Sequence, residues 1–316
     1  MSFLDSTQYK NWYFTSDSLS KKRESTYSNA LLSIQKNREI KKKIPTSEEC
    51  ELVIQYWASR IITYCEKYYK FPEKVGLTSS IFLKRFYLNC SPIEHFPSKY
   101  ILSIIFLACK AEDQLIESSK LIPRKERGAL LLRDLGKHNC NASVIKQNEI
   151  IVLENLKFNL VVYTPLRSMF GVSIDALQHD HIRQVEDLKV INKKNKQRVL
   201  TEIYTKCKKA AALASVTDCG FLYTPSQIAI AILQLVLDTF STKLCLQIEK
   251  YLPNTFENEQ IEKMFTKVEE LKKEFFFIKS QLPSLPFTQE KLIKIKKAKA
   301  VFNNFEGVKT RRLKPK

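Results

Sequence analysis

Two stretches decide the fold: residues 96–110, FPSKYILSIIFLACK, and residues 224–238, TPSQIAIAILQLVLD. Each begins near a Pro-Ser pair and continues as a long, nearly unbroken apolar run, and Pro97 and Pro225 are 128 positions apart. Proline suits the first position of a helix, because the N–H that it lacks would have no partner there. A helix that is apolar all around lies at the centre of other helices. The repeated pattern therefore predicts a duplicated five-helix domain with a central helix in each copy.

Helical periodicity also dominates the rest of the chain, and strand alternation is scarce. Ser16 or Asp17 is expected to cap a first helix, and capping boxes are predicted at Thr46 with Glu49 and at Thr224 with Gln227. Further helices are predicted at about 74–88, 98–110, 126–135, 143–157 and 288–305. The predicted divisions are an N-terminal segment 1–45, a first domain 46–162, a second domain 163–283, and a C-terminal helix with a basic tail 284–316.

The composition argues against an enzyme that binds nucleotides. The chain has 316 residues and only six glycines, and it contains neither G-x-G-x-x-G nor G-x-x-x-x-G-K-[ST]. Asp, Glu, His and Cys residues do not gather into a recognisable catalytic motif. We therefore expect no cofactor and no catalytic residue.

The eight cysteines include no C-x-x-C pair, and several lie within apolar runs, which is typical of reduced, buried thiols. His179 and His181, in QHDHIRQ, raise the question of a metal site. Two ligands spaced i, i+2 without a nearby cysteine make a poor site, so solvated loop histidines are the simpler interpretation. No metal is expected.

The formal net charge is +19, and residues 291–316 hold ten Lys or Arg and one Glu. This basic segment is either a solvated tail or a nuclear address or nucleic-acid contact. No apolar stretch reaches the length of a membrane span, and the N-terminus lacks the pattern of a signal peptide. A soluble, intracellular protein is expected.

Four motifs resemble the cyclin family: KRFYLN at 84–89, FLACKAED at 106–113, NEIIVLENLKFNL at 148–160 and LYTPSQIA at 222–229. The last of these, together with Gln8, Trp12 and Phe14, is similar to the cyclin H group. The resemblance spans about residues 8–280 and implies an all-α fold of two consecutive five-helix cyclin boxes with extra N- and C-terminal helices. The chain departs from cell-cycle cyclins at Lys84, where they have Asp, and its C-terminus is basic where relatives of the human type are acidic.

The resemblance also implies a binding site. In the family, a Lys at the end of the central helix and a Glu on the fifth helix hydrogen-bond to the backbone around the αC helix of a kinase, and these positions fall on Lys110 and Glu149. Apolar contacts are expected from Leu107, Ala111, Leu153 and Phe158. By spacing alone, Lys110 would be a solvated cap and Glu149 an outward-facing residue.

Three other residues are interpreted through the same resemblance. Trp12 and Phe14 either pack the N-terminal helix on the first box or contribute to the kinase contact. Arg85, within an apolar helix, is expected to satisfy backbone carbonyls between helices, and a direct contact with the partner is the alternative.

The function that the resemblance implies is that of a non-catalytic regulatory subunit in the nucleus. Its expected partners are a cyclin-dependent kinase of the CDK-activating type, a RING-finger assembly factor and the TFIIH core. The expected substrates of the complex are CDK activation loops and the C-terminal repeats of RNA polymerase II. Two alternatives stay open: a C-type Mediator cyclin, and a TFIIB-like cyclin-fold factor that binds DNA. The basic tail provides a possible route to nucleic acid.

Overall fold

The computed structural model describes residues 3–35, 44–124, 128, 131–132, 134–136, 139–179, 182–184, 195–240, 244–246, 262–263 and 266–273. The chain divides into two compact units, and the boundary falls between Val162 and Tyr163. The predicted helix at 288–305, the basic tail and the end of the first long helix beyond Gln35 lie outside the described residues.

The first unit contains six helices of defined bounds within the described residues. They are α1 (Thr7–Trp12), α2 (Ser16–Gln35), α3 (Ser47–Thr63), α4 (Glu73–Asn89), α5 (Ile101–Ala111) and α6 (Ala142–Asn155). A π-helical turn, Tyr64–Tyr69, continues α3, and 3₁₀ turns occupy Phe3–Asp5, Pro97–Lys99 and Ser118–Leu121. Residues 128, 131–132 and 134–135 are also helical.

Among its described residues, the second unit contains helices and one short pair of strands. Its elements are α7 (Pro165–Gln178), β1 (Ile182–Gln184), α8 (Lys196–Val216), α9 (Cys219–Leu222), α10 (Pro225–Leu237) and β2 (Leu244–Leu246). Residues 262–263 and 266–273 are also helical. The strands pair antiparallel with Arg183 opposite Cys245, and the sequence did not predict them. The all-α class is confirmed.

Each unit is built around one apolar helix, as the sequence predicts. In α5, every residue from Ile101 to Cys109 is buried, and the helix packs against α4 and α6. In α10, Ile228 to Leu233 are buried, and the helix packs against α7 and α8. Helices that are apolar on all sides therefore occupy the two cores.

Local signals determine where several helices begin. The N–H of Glu49 donates to Thr46 Oγ1 (3.2 Å) and the N–H of Thr46 to Glu49 Oε2 (3.0 Å), which confirms the first capping box. The same exchange joins Thr224 and Gln227 at the start of α10.

The predicted cap of α2 is wrong. Thr15 caps this helix in place of Ser16 or Asp17: the N–H of Ser18 donates to Thr15 Oγ1 (3.3 Å), and the N–H of Thr15 donates to Ser18 Oγ (2.9 Å). The usual capping box has Glu or Gln three positions after the cap. Here Ser18 occupies that position.

Within the part of the chain that the structure describes, none of the helices combines the length and hydropathy that a bilayer span requires. No three His, Cys, Asp or Glu side chains of those residues lie together as a metal site would need. His179 is exposed and lies 3.5 Å from Asp175 on the same helix, and His181 lies outside the described residues.

Replacing Ile104 with alanine tests the central position of α5. Ile104 is completely buried, so Ile104→Ala should lower the free energy of unfolding by about 2–5 kcal/mol. Ile150→Ala is a matched control because Ile150 is 60% exposed; its unfolding free energy in urea should change little. Equal losses in the two variants would contradict a core centred on α5.

The buried thiol of Cys207 predicts a dependence of stability on alkaline pH. Burial raises the pKa of Cys207 to about 12, so the folded chain keeps a proton that the unfolded chain loses near its ordinary pKa. The free energy of unfolding should therefore fall as pH rises above about 9. In Cys207→Ala the fall should be shallower, since every other titrating group is shared by the two proteins; parallel urea titrations that give equal slopes would rule this out.

Candidate partner-binding site

Helix α5 brings Lys110 from the core to the surface. The side chain of Lys110 is 51% exposed, whereas the residues before it in the helix are buried. Its position in the last turn places the ammonium group at the negative end of the helix dipole. Its Nζ atom lies 4.3 Å from the centroid of the Phe106 ring, which adds a cation–π contact.

Helix α6 supplies the carboxylate that meets this ammonium group. Lys110 Nζ donates to Glu149 Oε1 at 2.7 Å, across 39 positions of sequence. The side chain of Glu149 is only 11% exposed, so the paired lysine compensates a carboxylate that has little contact with water. The structure thus brings together the two charged residues that the sequence singled out.

A second carboxylate fixes the end of α5. Thr78 Oγ1 donates to Glu112 Oε1 (2.6 Å), and Lys74 Nζ donates to the carbonyl of Glu112 (2.7 Å). The helix then ends with Asp113 in the left-handed region (φ 55°) and with the N–H of Gln114 bonded to the carbonyl of Cys109 (2.8 Å). These bonds to α4 hold the last turn of α5, and therefore the backbone of Lys110, in place.

The four predicted apolar contacts have unequal access to solvent. Phe158 is 69% exposed, and Ala111 and Leu153 are half-buried. Leu107 is only 2% exposed and lies in the core. It has almost no surface to offer to a partner.

Sequence reasoning missed two exposed apolar residues. Ile150, next to Glu149 on α6, is 60% exposed, and Val161, after α6, is 53% exposed. The signal for Ile150 was available: in NEIIVLENL, residues 150–153 are all apolar, which is too wide for one buried stripe of a helix.

A strained turn after α6 presents Phe158. Lys157 and Phe158 have φ values of 50° and 58°, a conformation that costs about 1–2 kcal/mol for a residue with a side chain. The turn persists because the N–H of Phe158 donates to Leu153 O (3.0 Å) and the N–H of Asn159 donates to Leu156 O (3.0 Å). The exposed ring is thus held outward by backbone bonds.

Arg85 anchors the same turn from within. Arg85 is 1% exposed, and its Nη1 donates to the carbonyls of Asn159 (3.2 Å) and Val161 (3.3 Å). Burial lowers the pKa of Arg85 to about 9. The predicted role of Arg85 as a donor to backbone carbonyls is confirmed.

The N-terminal helix packs against this arginine. Trp12 is 3% exposed, and its ring lies 5.2 Å from the guanidinium carbon of Arg85. Asn11 Nδ2 lies 3.4 Å from Asn159 Oδ1, and Phe14 is half-buried. Of the two interpretations of Trp12, packing on the first unit fits this structure, because the side chain has almost no free surface.

The arrangement is suited to binding a polypeptide backbone. Lys110 has N–H groups beyond the one bonded to Glu149, and Glu149 has a second carboxylate oxygen, so the pair can donate to a carbonyl and accept from an N–H. Exposed apolar groups on the same helix and on the turn that follows it, Ile150 and Phe158, can exclude water from such contacts.

Comparison with known proteins finds similar sequences in one family. A family model described as the cyclin C-terminal domain matches residues 164–295. A putative cyclin-H of Dictyostelium discoideum is 30% identical over 252 residues, which cover 76% of this chain and 78% of that protein.

Two solved structures contain a chain of similar fold. One is the CAK complex of Chaetomium thermophilum bound to ATP-gamma-S, with a TM-score of 0.70 and 19% identity over 98% of this chain and 93% of that chain. The other is the yeast TFIIK (Kin28/Ccl1/Tfb3) complex, with a TM-score of 0.60 and 25% identity over 86% of this chain and 99% of that chain. At 19% identity, the likeness to the Chaetomium thermophilum chain shows a similar fold and nothing more.

Replacing Arg85 with methionine tests the anchoring of the turn. Arg85→Met keeps much of the apolar bulk but leaves the carbonyls of Asn159 and Val161 without their donor, so hydrogen exchange at residues 156–161 should become faster. Arg60→Met, which removes a 2.8 Å bond to Asp134, is the control and should not affect that segment. Unchanged exchange at 156–161 in Arg85→Met would show that the turn is held by other contacts.

Proposed function

This chain belongs to the cyclin H family, and we propose that it activates its kinase by binding the regulatory αC helix through Lys110 and Glu149. As a member of that family it is the cyclin subunit of a CDK-activating kinase, and an association with TFIIH is consistent with the yeast TFIIK likeness. The observation that carries the site proposal is the 2.7 Å bond between Lys110 and Glu149 at the surface end of the central helix.

The physical case for this site begins with the charges. A wrongly placed partner would cover both charges without bonding to them, and buried polar groups without partners are costly. A correctly placed backbone can bond to the free N–H groups of Lys110 and to the free oxygen of Glu149. The pair therefore selects the position of the partner as well as contributing affinity.

The apolar surroundings supply contact area. We assign this role to Ile150, Leu153 and Phe158, which are exposed or half-buried on α6 and the turn that follows it. Val161, on the segment anchored by Arg85, extends the same set. Leu107 and Trp12 support these residues from the core.

Activation follows from holding a kinase element in its active position. In protein kinases, an ion pair between a Lys on strand β3 and the Glu of αC must be in place for catalysis. A cyclin bound to αC favours the state in which this pair forms and the activation loop is ordered. No residue of this chain takes part in the chemistry, which agrees with its membership of a family of regulatory subunits.

The wider assembly is also part of the proposal. We expect the complex to work in the nucleus, with a RING-finger factor as third subunit. It would phosphorylate the activation loops of other CDKs and, within TFIIH, the C-terminal repeats of RNA polymerase II. The support is the family membership and the likeness to a chain of a kinase complex from yeast.

Alanine substitutions at the charged pair test the proposal. Lys110→Ala or Glu149→Ala should weaken binding to the CDK-activating kinase subunit by about 2–5 kcal/mol, since each leaves a charge desolvated and unpaired in the complex. Binding can be measured by titration calorimetry, together with phosphorylation of a polymerase-tail peptide. Glu154→Ala is the matched control, because Glu154 is exposed on the same helix, and it should bind normally.

Two results would count against this assignment. Normal binding by both Lys110→Ala and Glu149→Ala would place the kinase contact elsewhere, even with the family correct. Co-purification of the wild-type chain with a Mediator-associated kinase would instead indicate the C-type alternative. Because Lys110→Ala also leaves Glu149 without its lysine in the free chain, the melting temperature of each variant is recorded to separate unfolding from lost binding.

A further inference from the structure

A cavity of about 740 Å³ lies in the first unit, outside the proposed kinase site. It is lined by the π-helical turn that ends α3 and by the segment 116–124 that follows α5. Tyr68 and Tyr69 come from the π-helical turn and Phe71 follows it, and all three residues are half-buried. Cavities of roughly 300–1,000 Å³ lined by aromatic side chains are typical of binding sites.

The aromatic rings of this cavity are fixed before any ligand arrives. The Tyr69 hydroxyl donates to Leu121 O at 2.5 Å, and the Tyr68 hydroxyl accepts the N–H of Arg124 at 3.1 Å. The rings of Tyr69 and Phe71 are stacked at 5.2 Å, and Tyr68 meets Tyr69 edge-on at 4.7 Å. A rigid aromatic wall loses little conformational freedom when it binds.

Two backbone features maintain this wall. At Gly128, an added Cβ would lie 2.8 Å from the Tyr68 hydroxyl and 2.8 Å from Pro123 Cβ, so the position of Tyr68 requires a glycine there. The π-helical turn ends with the N–H of Lys70 bonded to Cys65 O and with Lys70 in the left-handed region (φ 57°). Such turns are rare and are frequent at functional sites.

The charge at the cavity is positive. Lys120 and Arg124 line it with exposed side chains, and Glu117 is the one acidic residue among the lining residues of the described chain. Ser119 Oγ donates to the Glu117 carboxylate at 3.2 Å, which satisfies part of its hydrogen-bonding capacity. The cavity therefore combines apolar rings with two cations that are free to meet an acidic ligand.

We propose that this cavity is a docking site for an acidic, extended peptide segment of a partner protein that inserts one aromatic or aliphatic side chain. The inserted side chain would contact Tyr69, Phe71 and Ile122, and flanking Asp or Glu residues would pair with Lys120 and Arg124. The site is separate from Lys110 and Glu149, so it does not depend on the proposed kinase contact.

A peptide-display selection tests this site with a defined probe. The full-length chain is immobilised and offered a library of random 12-residue peptides, and enriched peptides are synthesised and titrated by fluorescence polarisation. We expect enriched sequences with an aromatic or aliphatic residue beside Asp or Glu. We also expect Lys120→Glu combined with Arg124→Glu to weaken their binding by about tenfold or more, since each reversal replaces an attraction with a repulsion.

Controls separate this result from general attraction to a basic chain. Lys10→Glu combined with Lys21→Glu changes the net charge equally at exposed positions outside the cavity and should leave binding within about twofold. Gly128→Ala should weaken binding by displacing Tyr68. The proposal is overturned if no acidic sequence is enriched, if both charge-reversal pairs weaken binding equally, or if an oligothymidine competitor displaces the peptide and binds more tightly.

Discussion

A helix that is apolar on every side is stable only when other helices enclose it, and α5 imposes this requirement on the whole first unit. Helices α4 and α6 pack on it, and all of its residues from Ile101 to Cys109 are removed from water. A charged side chain can therefore be accommodated only where the helix reaches the surface, in its last turn. The position of Lys110, and with it the position of the proposed partner site, follows from the packing of the core.

A buried cation is the second constraint, and it unites three parts of the unit. Arg85 lies on α4, its guanidinium group contacts Trp12 of α1, and its N–H groups bond to the turn after α6. Within the described residues no carboxylate pairs with it, and desolvation lowers its pKa to about 9. Carbonyl oxygens and an aromatic face offset part of the cost of burying the charge. This chain meets the charge with carbonyls of its own backbone.

Local signals were readable from the sequence, and long-range ones were not. The capping boxes at Thr46 and Thr224 and the two central helices depend on residues within a few positions of each other, so the pattern alone predicted them. The bond between Lys110 and Glu149 joins residues 39 positions apart. The sequence did not predict this bond, and only the resemblance to a family assigned both residues to one site. Spacing alone would have left both as solvated surface residues.

The features that the sequence did not indicate were missed for physical reasons. Nothing in the residue pattern indicated that Tyr68 and Tyr69 line a cavity, because the π-helical turn depends on backbone bonds that such a pattern does not specify. Leu107 was expected among the apolar contacts through the resemblance, and it is only 2% exposed in the structure, a degree of burial that the motif alone does not specify. The short strand pair β1–β2 was missed because three residues are too few for an alternating pattern to be recognised.

The two left-handed residues of the turn after α6 differ in what a substitution to glycine would change. Two consecutive left-handed residues, neither of them glycine, lower the stability of the free protein. A glycine would relieve the strain at either position, but at Phe158 it would also remove the exposed ring. At Lys157 it would not, so an engineer could gain stability there and keep the ring.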